Sequence, residues 1–434
     1  MTPAIGAATR IPRDSHSVSR KNISDNALKV IHRLRSKGHQ ALLVGGAVRD
    51  LLLGNQPKDF DVATDATPEK VHSLFGNSRI IGRRFRIVHV RFGRELIEVT
   101  TFRGHHDASD ERQDSSQGSH HSTQGVLLRD NVFGSLEEDA IRRDFTVNAL
   151  YYNVDDFSLF DHVDGLVDLQ QRQLRIIGDA EQRYREDPVR MLRAIRFSAK
   201  LDFSIVPGTA APIAELAYLL EAIPPARLFD EMLKLFMTGC ALRTFRLLCD
   251  HGLIEHLFPA TATAMDDMPY ARALIEAAMD STDTRVAEDK PITPAFLFAA
   301  LLWPPTVQLQ RQLEDRGVPS AEALSEAGNT ITSEQVHHLS IPRRFSHAMF
   351  EIWSLQSQLQ TRTGRGSQAL MRLRRFRAAY DFLLLREQSG EDLDGLGKVW
   401  TKLQQELPAA AVKTEAETGA RRRGRRHYPS RKPR

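Results

Sequence analysis

"PKDFDVAT", residues 57–64, decides how the rest of this chain is read. Asp59 and Asp61 stand one residue apart inside a strand-like run. In a strand, residues i and i+2 point to the same face. The two carboxylates therefore converge on one spot, where like charges repel unless a cation lies between them. Paired hard oxygen donors suit Mg²⁺, an ion that also binds substrate phosphates. Two such ions, about 3.5–4 Å apart, would activate an attacking oxygen and stabilise a leaving one in an in-line displacement.

Just upstream, "LLVGGAVRDLLLG" (residues 42–54) places Gly45 and Gly46 at the end of a strand and opens a helix carrying Arg49. Glycines there let backbone N–H groups approach a phosphate closely, and a helix N-terminus favours an anion. Arg49 is positioned to add a guanidinium clamp to a polyphosphate. A Gly-Gly pair or an Asp-x-Asp alone is commonplace. Strand, Gly-Gly, helix with arginine, then Asp-x-Asp on the next strand is a specific arrangement.

Working outward, Asn26 to Lys37 has mostly helical apolar spacing and stops at Gly38, while Thr67 caps a helix beginning at Pro68. Residues 41–46, 59–64, 86–93 and 96–103 read as strands, the last two joined by a turn at Gly93-Arg94-Glu95. Residues 104–124 are polar and read as a long mobile loop. A strand pair is expected around "DFTVNALYYNV" (144–154) and "FSLFDHV" (157–163). From about Gly178 onward nearly every segment is helical. Asp187, Arg190, Arg193 and Arg196 recur every three residues, stepping about 60° around a helix, and Val189, Leu192 and Ile195 form a parallel apolar band. The apolar band should dock on neighbouring helices while the charged one faces a cleft.

The chain has 434 residues, enough for two or three domains, with 41% hydrophobic and 26% charged residues. No apolar run approaches the length needed to span a bilayer. No secretory h-region is seen near the N-terminus, and Cys240 and Cys249 give no disulfide framework. A cytoplasmic protein with no membrane partner is expected. The last fourteen residues, from Arg421, carry eight of the basic groups and no acidic one; removing those eight from the net +4 leaves −4 elsewhere. Such a tail reads as a disordered polyanion-binding arm.

The residues quoted so far resemble the active-site signature of the class II template-independent nucleotidyltransferases, the bacterial poly(A) polymerases and CCA-adding enzymes. The resemblance continues through "RRDFTVNAL" (142–150), "DGLVDLQQRQLRIIGD" (164–179) and "REDPVRMLRAIRF" (185–197). It implies an α+β chain: a polymerase-beta-like nucleotidyltransferase head with a mixed sheet, then an all-helical neck and body. The boundaries follow as a flexible extension (1–24), head (25–178), neck (179–240), RNA-binding body (241–405) and basic tail (406–434). Asp59 and Asp61 would hold two Mg²⁺ ions, with Asp144 as a third acidic residue and Glu138 and Asp139 as rivals. Arg142, Arg143 and Asn148 would lie near the ribose and phosphates of ATP. Asp187 and Arg190 would read the incoming base, with Arg193 and Arg196 toward the triphosphate or supporting the motif.

Within the family, "RIIGRRFRIVHVRFG" (79–93) looks like the segment of bacterial poly(A) polymerases rather than the shorter turn of CCA-adding enzymes. Arg83, Arg84 and Arg86 there, and Arg421, Arg422, Arg423, Arg425 and Arg426 in the tail, would grip an RNA backbone without reading its sequence. The expectation is a monomeric enzyme that polyadenylates RNA 3′ ends, alongside RNA-decay proteins. A CCA- or A-adding tRNA enzyme and a catalytically silent RNA-binding protein are the alternatives.

Overall fold

Val44 pairs with Asp61, and Asp61 in turn with Glu98, so the strand that follows the aspartates is flanked on both sides. In the computed structural model, which describes residues 8–82, 86–104, 120–121, 127–129, 133–361 and 366–406, the chain forms two compact units, Met1–Leu219 and Leu220–Arg434. The first unit holds strands β1 (Thr9–Ile11), β2 (Ala41–Val44), β3 (Asp61–Thr64), β4 (Ser78–Ile81), β5 (Ile87–Phe92), β6 (Glu95–Thr101), β7 (His120–His121), β8 (Leu127–Arg129), β9 (Leu150–Tyr152) and β10 (Leu159–Asp161). Eight of them form one sheet in the order β1-β10-β9-β2-β3-β6-β5-β4, and β7 pairs with β8. Within the large sheet β3 and β6 run parallel and every other pair is antiparallel. It is the mixed sheet the sequence predicts.

Helix α1 (Asp25–Arg35) starts where the Ser24 hydroxyl accepts from the backbone N–H groups of Asn26 and Ala27, and it buries Ala27, Val30, Ile31 and Leu34. Helix α2 (Gly46–Leu52) follows β2 directly. Helix α3 (Pro68–Leu74) has the expected Thr67 cap and first-turn proline. Helix α4 (Leu136–Arg142) opens on a capping box between Ser135 and Glu138. The strand β2 is buried along its whole length. On one face Leu42 and Val44 join Ala63, Phe102, Ala140 and Tyr151 in a core cluster. Helices α5 (Gly165–Gln170), α6 (Ala180–Glu186) and α7 (Val189–Leu201) complete the part of this unit that bears on the site.

One expected strand is shorter than its sequence suggests. Of residues 144–154 only Leu150–Tyr152 is strand, and Thr146–Asn148 is a 3₁₀ turn. The turn wins because its polar side chains find buried partners: the Thr146 hydroxyl donates to Asp168 at 2.7 Å, and Asn148 bonds both Arg49 and Asp144. A regular strand would point both to one face of the sheet, where they could not reach Asp168 on one side and Arg49 with Asp144 on the other.

The second unit is helical in its described residues. Its long helix, Pro294–Asp315, is buried over Leu297–Val307 despite carrying Pro304 and Pro305 mid-helix. Pro305 has no N–H for the Leu301 carbonyl, and the Thr261 hydroxyl supplies the missing donor at 2.8 Å. Trp303 packs near Trp353 and edge-on to Phe382. A second cluster gathers Leu359, Phe376, Tyr380 and Trp400. No helix of the described residues is long and apolar enough to cross a membrane.

Candidate active site

Gly45, between β2 and α2, has φ +73°, a conformation that glycine adopts without strain. A Cβ there would lie 3.5 Å from Arg143 Nη1 and 3.9 Å from Asp61 Oδ2. The glycine turn, an arginine and a strand-bound aspartate thus meet at one point. The expected strand over 59–64 begins only at Asp61: Asp59 is exposed in the bend before it, Phe60 is buried and Asp61 is half-buried. The carboxylate opposite Asp61 across the parallel pair is Glu98, whose Oε1 lies 3.0 Å from His89 Nε2. Burial first, then Glu98, with Asp59 adding, pushes the Asp61 carboxyl up to about 6 against the pull of Arg143.

Carboxylates gathered in this way favour a bound cation. Their oxygen donors fit Mg²⁺, and among the described residues no three His, Cys, Asp or Glu side chains close around one point. Asp59 and Asp61 are the residues that could hold the ion, with Glu98 beside them.

The arginines are held by a second set of contacts. Arg143 donates to Asp139 through Nε and Nη2 (3.3 and 3.0 Å) and to the Tyr151 hydroxyl at 2.9 Å, and Tyr151 donates on to Asp139 at 2.6 Å. Burial works against its charge, yet Tyr151 and Asp139 outweigh that and hold its pKa above the ordinary arginine range. Arg142 donates to the Gly104 carbonyl. Asp144 is enclosed: Oδ2 accepts from Arg193 Nε at 2.7 Å, and Oδ1 accepts from the Phe145 N–H at 2.9 Å and from Asn148. Burial alone would raise its carboxyl, but Arg193, Asn148 and Phe145 bring it down to about 2. Arg49 is buried, donating to Asp50 and, at 2.7 Å, to Asn148.

The sequence-predicted residues therefore fall into two layers. Gly45, Asp61 and Arg143 lie together, with Glu98 added by strand pairing and Asp59 two residues before Asp61 in an exposed bend. Asp144, Asn148, Arg49 and Arg193 form a hydrogen-bonded chain. Glu138 is engaged at the cap of α4 and Asp139 at Arg143. Around the α6–α7 junction, Arg190 Nη1 donates to Glu186 and to the Arg183 carbonyl, at 2.8 and 2.7 Å, and Asp187 caps the turn into α7 through its carbonyl and carboxylate. Arg183 shares Glu186 and donates to the carbonyls of Arg142 and Arg143, both at 2.7 Å. Burial and the neighbouring Arg190 lower its guanidinium to about 10.

Glu98, Arg183 and Glu186 were not singled out by sequence reasoning. Glu98 was signalled only as an acidic residue between the apolar Ile97 and Val99 in mid-strand. Glu186 precedes Asp187 directly, and its i, i+4 spacing to Arg190 was the available sign.

Residues 41–175 match the family described as the poly A polymerase head domain, residues 202–265 the probable RNA and SrmB-binding site of polymerase A, and residues 316–433 the polymerase A arginine-rich C-terminus. Over 429 residues the chain is 48% identical to Poly(A) polymerase I of Escherichia coli O6:H1, across 96% of this chain and 91% of that one. The chain belongs to the poly(A) polymerase family. A CCA-adding enzyme of Lactobacillus gasseri is 37% identical over 231 residues, which is 53% of this chain and 54% of that one. Among solved structures, the Bacillus stearothermophilus CCA-adding enzyme in complex with CTP is 26% identical, with a TM-score of 0.59, covering 93% of this chain and 88% of that one. The resemblance read from four motifs thus extends over almost the whole chain, and the chain is a nucleotidyltransferase of this family.

Of the expected RNA-gripping residues, Arg86 pairs with Glu69 at the start of β5. Arg83, Arg84, Arg421, Arg422, Arg423, Arg425 and Arg426 lie outside the described residues, as does all of the 104–124 segment except Gly104, His120 and His121.

Proposed function

We propose that this enzyme transfers AMP from ATP to RNA 3′ ends without a template, releasing pyrophosphate. The observation that carries the proposal is the meeting of Gly45, Arg143 and Asp61 beside Glu98. An open backbone turn, a fixed guanidinium and gathered carboxylates are what nucleotidyl transfer requires in one place. The likeness to Poly(A) polymerase I along nearly the whole chain supports polyadenylation over CCA addition, for which the likeness in sequence spans about half.

Asp59 and Asp61 would hold two Mg²⁺ ions, which would supply activation of the 3′-OH and charge neutralisation. Glu98 stands beside Asp61 as a further carboxylate, and the oxygens of Asp144 are engaged by Arg193, Asn148 and the Phe145 N–H. Arg143 presents a permanent charge to the phosphates beside the Gly45–Gly46 turn. Arg142 and Asn148 line the ribose side, and Arg193 and Arg196 meet the triphosphate. Arg49, being buried, serves by fixing Asn148. Asp187 and Arg190 offer an acceptor and donors to the adenine edge, and Glu186 steadies the Arg190 guanidinium. The arginines of residues 83–86 and of the tail hold RNA of varied sequence in the cytoplasm, where a monomer works alongside RNA-decay proteins.

The test uses purified protein, Mg²⁺, a labelled generic RNA and a tRNA, with each NTP supplied singly and together. A long ladder with ATP alone is expected. Arrest after one to three additions on tRNA would reassign the chain to end repair, and no product would make it a binding protein.

A further inference from the structure

Phe197, half-buried on α7, has the guanidinium carbons of three arginines close to its ring centroid: Arg49 at 5.4 Å, Arg193 at 5.5 Å and Arg196 at 5.0 Å. Arg49 comes from α2 and the other two from α7. Phe145, next to Asp144, packs edge-on against the same ring at 5.6 Å and 78°. Like charges held this near one another repel, and Asp50 and Asp144 balance Arg49 and Arg193 respectively. An aromatic face is negative and attracts a cation within about 6 Å of its centroid. It also has no hydrogen-bonding atoms, so it holds a guanidinium without competing for the N–H groups that a phosphate would take.

We propose that Phe197 is a positioning residue, whose ring ties the buried Arg49 to Arg193 and Arg196 and sets those two for the phosphates of the incoming nucleotide. The inference rests on the reading that ATP's triphosphate meets this cluster. Phe197→Leu removes the π face and keeps an apolar side chain, and Phe197→Tyr restores the face.

At saturating RNA, Phe197→Leu should raise the ATP KM about three- to tenfold and change kcat no more than about twofold, with Phe197→Tyr near wild type. Inhibition by inorganic tripolyphosphate should weaken in parallel, while inhibition by adenosine stays unchanged. Thermal melts of each variant show that it is folded, and Phe197→Met replaces the leucine variant if that one does not fold. An unchanged KM, a Phe197→Tyr as impaired as Phe197→Leu, or equal loss toward tripolyphosphate and adenosine would overturn the proposal. If the wild type extends no RNA with ATP, the functional reading fails on its own. Calorimetric titration of tripolyphosphate into the same variants then still decides the role of Phe197.

Discussion

Asp61 and Asp144 are the same residue type given opposite environments. Burial and then Glu98 push Asp61 up to about 6, whereas at Asp144 burial is outweighed by Arg193, with Asn148 and the Phe145 N–H, which bring it down to about 2. The first stands among other carboxylates and the second holds a guanidinium. Asp59→Ala or Asp61→Ala should abolish AMP transfer while leaving the thermal melt near wild type. Transfer comparable to wild type in either would remove them from the catalytic site. Asp144→Asn should instead act on stability. The folded carboxyl lies below its unfolded value of 3.8, so its contribution is present above pH 4 and lost as pH falls toward 2. It amounts to about 2 kcal/mol at pH 7 and about half that at pH 3. Urea melts of wild type and variant at the two pH values measure the narrowing gap, and a constant gap would contradict the pairing.

At the scale of elements, the motif 164–179 buttresses the site from behind. Asp164 is left-handed (φ +59°), and a Cβ on Gly165 would meet the Thr146 carbonyl oxygen at 2.2 Å. Three residues on, Asp168 accepts the Thr146 hydroxyl and the Arg175 guanidinium. The helix α5 can therefore press against the 146–148 turn only with glycine at its first position. Gly165→Ala should cost about 3 kcal/mol, the upper end of the range for overpacking, because the clash is with backbone, seen as a lowered urea midpoint. In the other unit, Thr261→Val strips the donor from the Leu301 carbonyl that Pro305 leaves bare. It should cost about 1–3 kcal/mol, whereas a neutral effect would mean the carbonyl has another partner.

For the whole molecule, charge is divided along the chain, with eight basic residues after residue 420 and a net −4 before them. Removing residues 421–434 should weaken binding of generic RNA and flatten the dependence of log K on log salt by up to about 6. The ATP KM should not change. Filter binding at several salt concentrations measures the slope, and an unchanged slope would mean that the tail does not touch RNA.

The sequence by itself determined the family and the mixed sheet with helices after it. Those depend on spacing along one strand, on turn-forming glycines and on helical periodicity, all local properties of the chain. Only the tertiary structure decided that Glu98 faces Asp61, that Asp144 belongs to Arg193, and that Arg183 spans the carbonyls of Arg142 and Arg143. Each is a contact between residues 37 to 49 positions apart or across a parallel strand pair. Such partners are chosen by packing rather than by neighbours in sequence. Arg49 makes the same point: its sequence position beside the glycine turn suggested a phosphate clamp, and burial against Asp50 and Asn148 gives it a fixed place in the frame of the site.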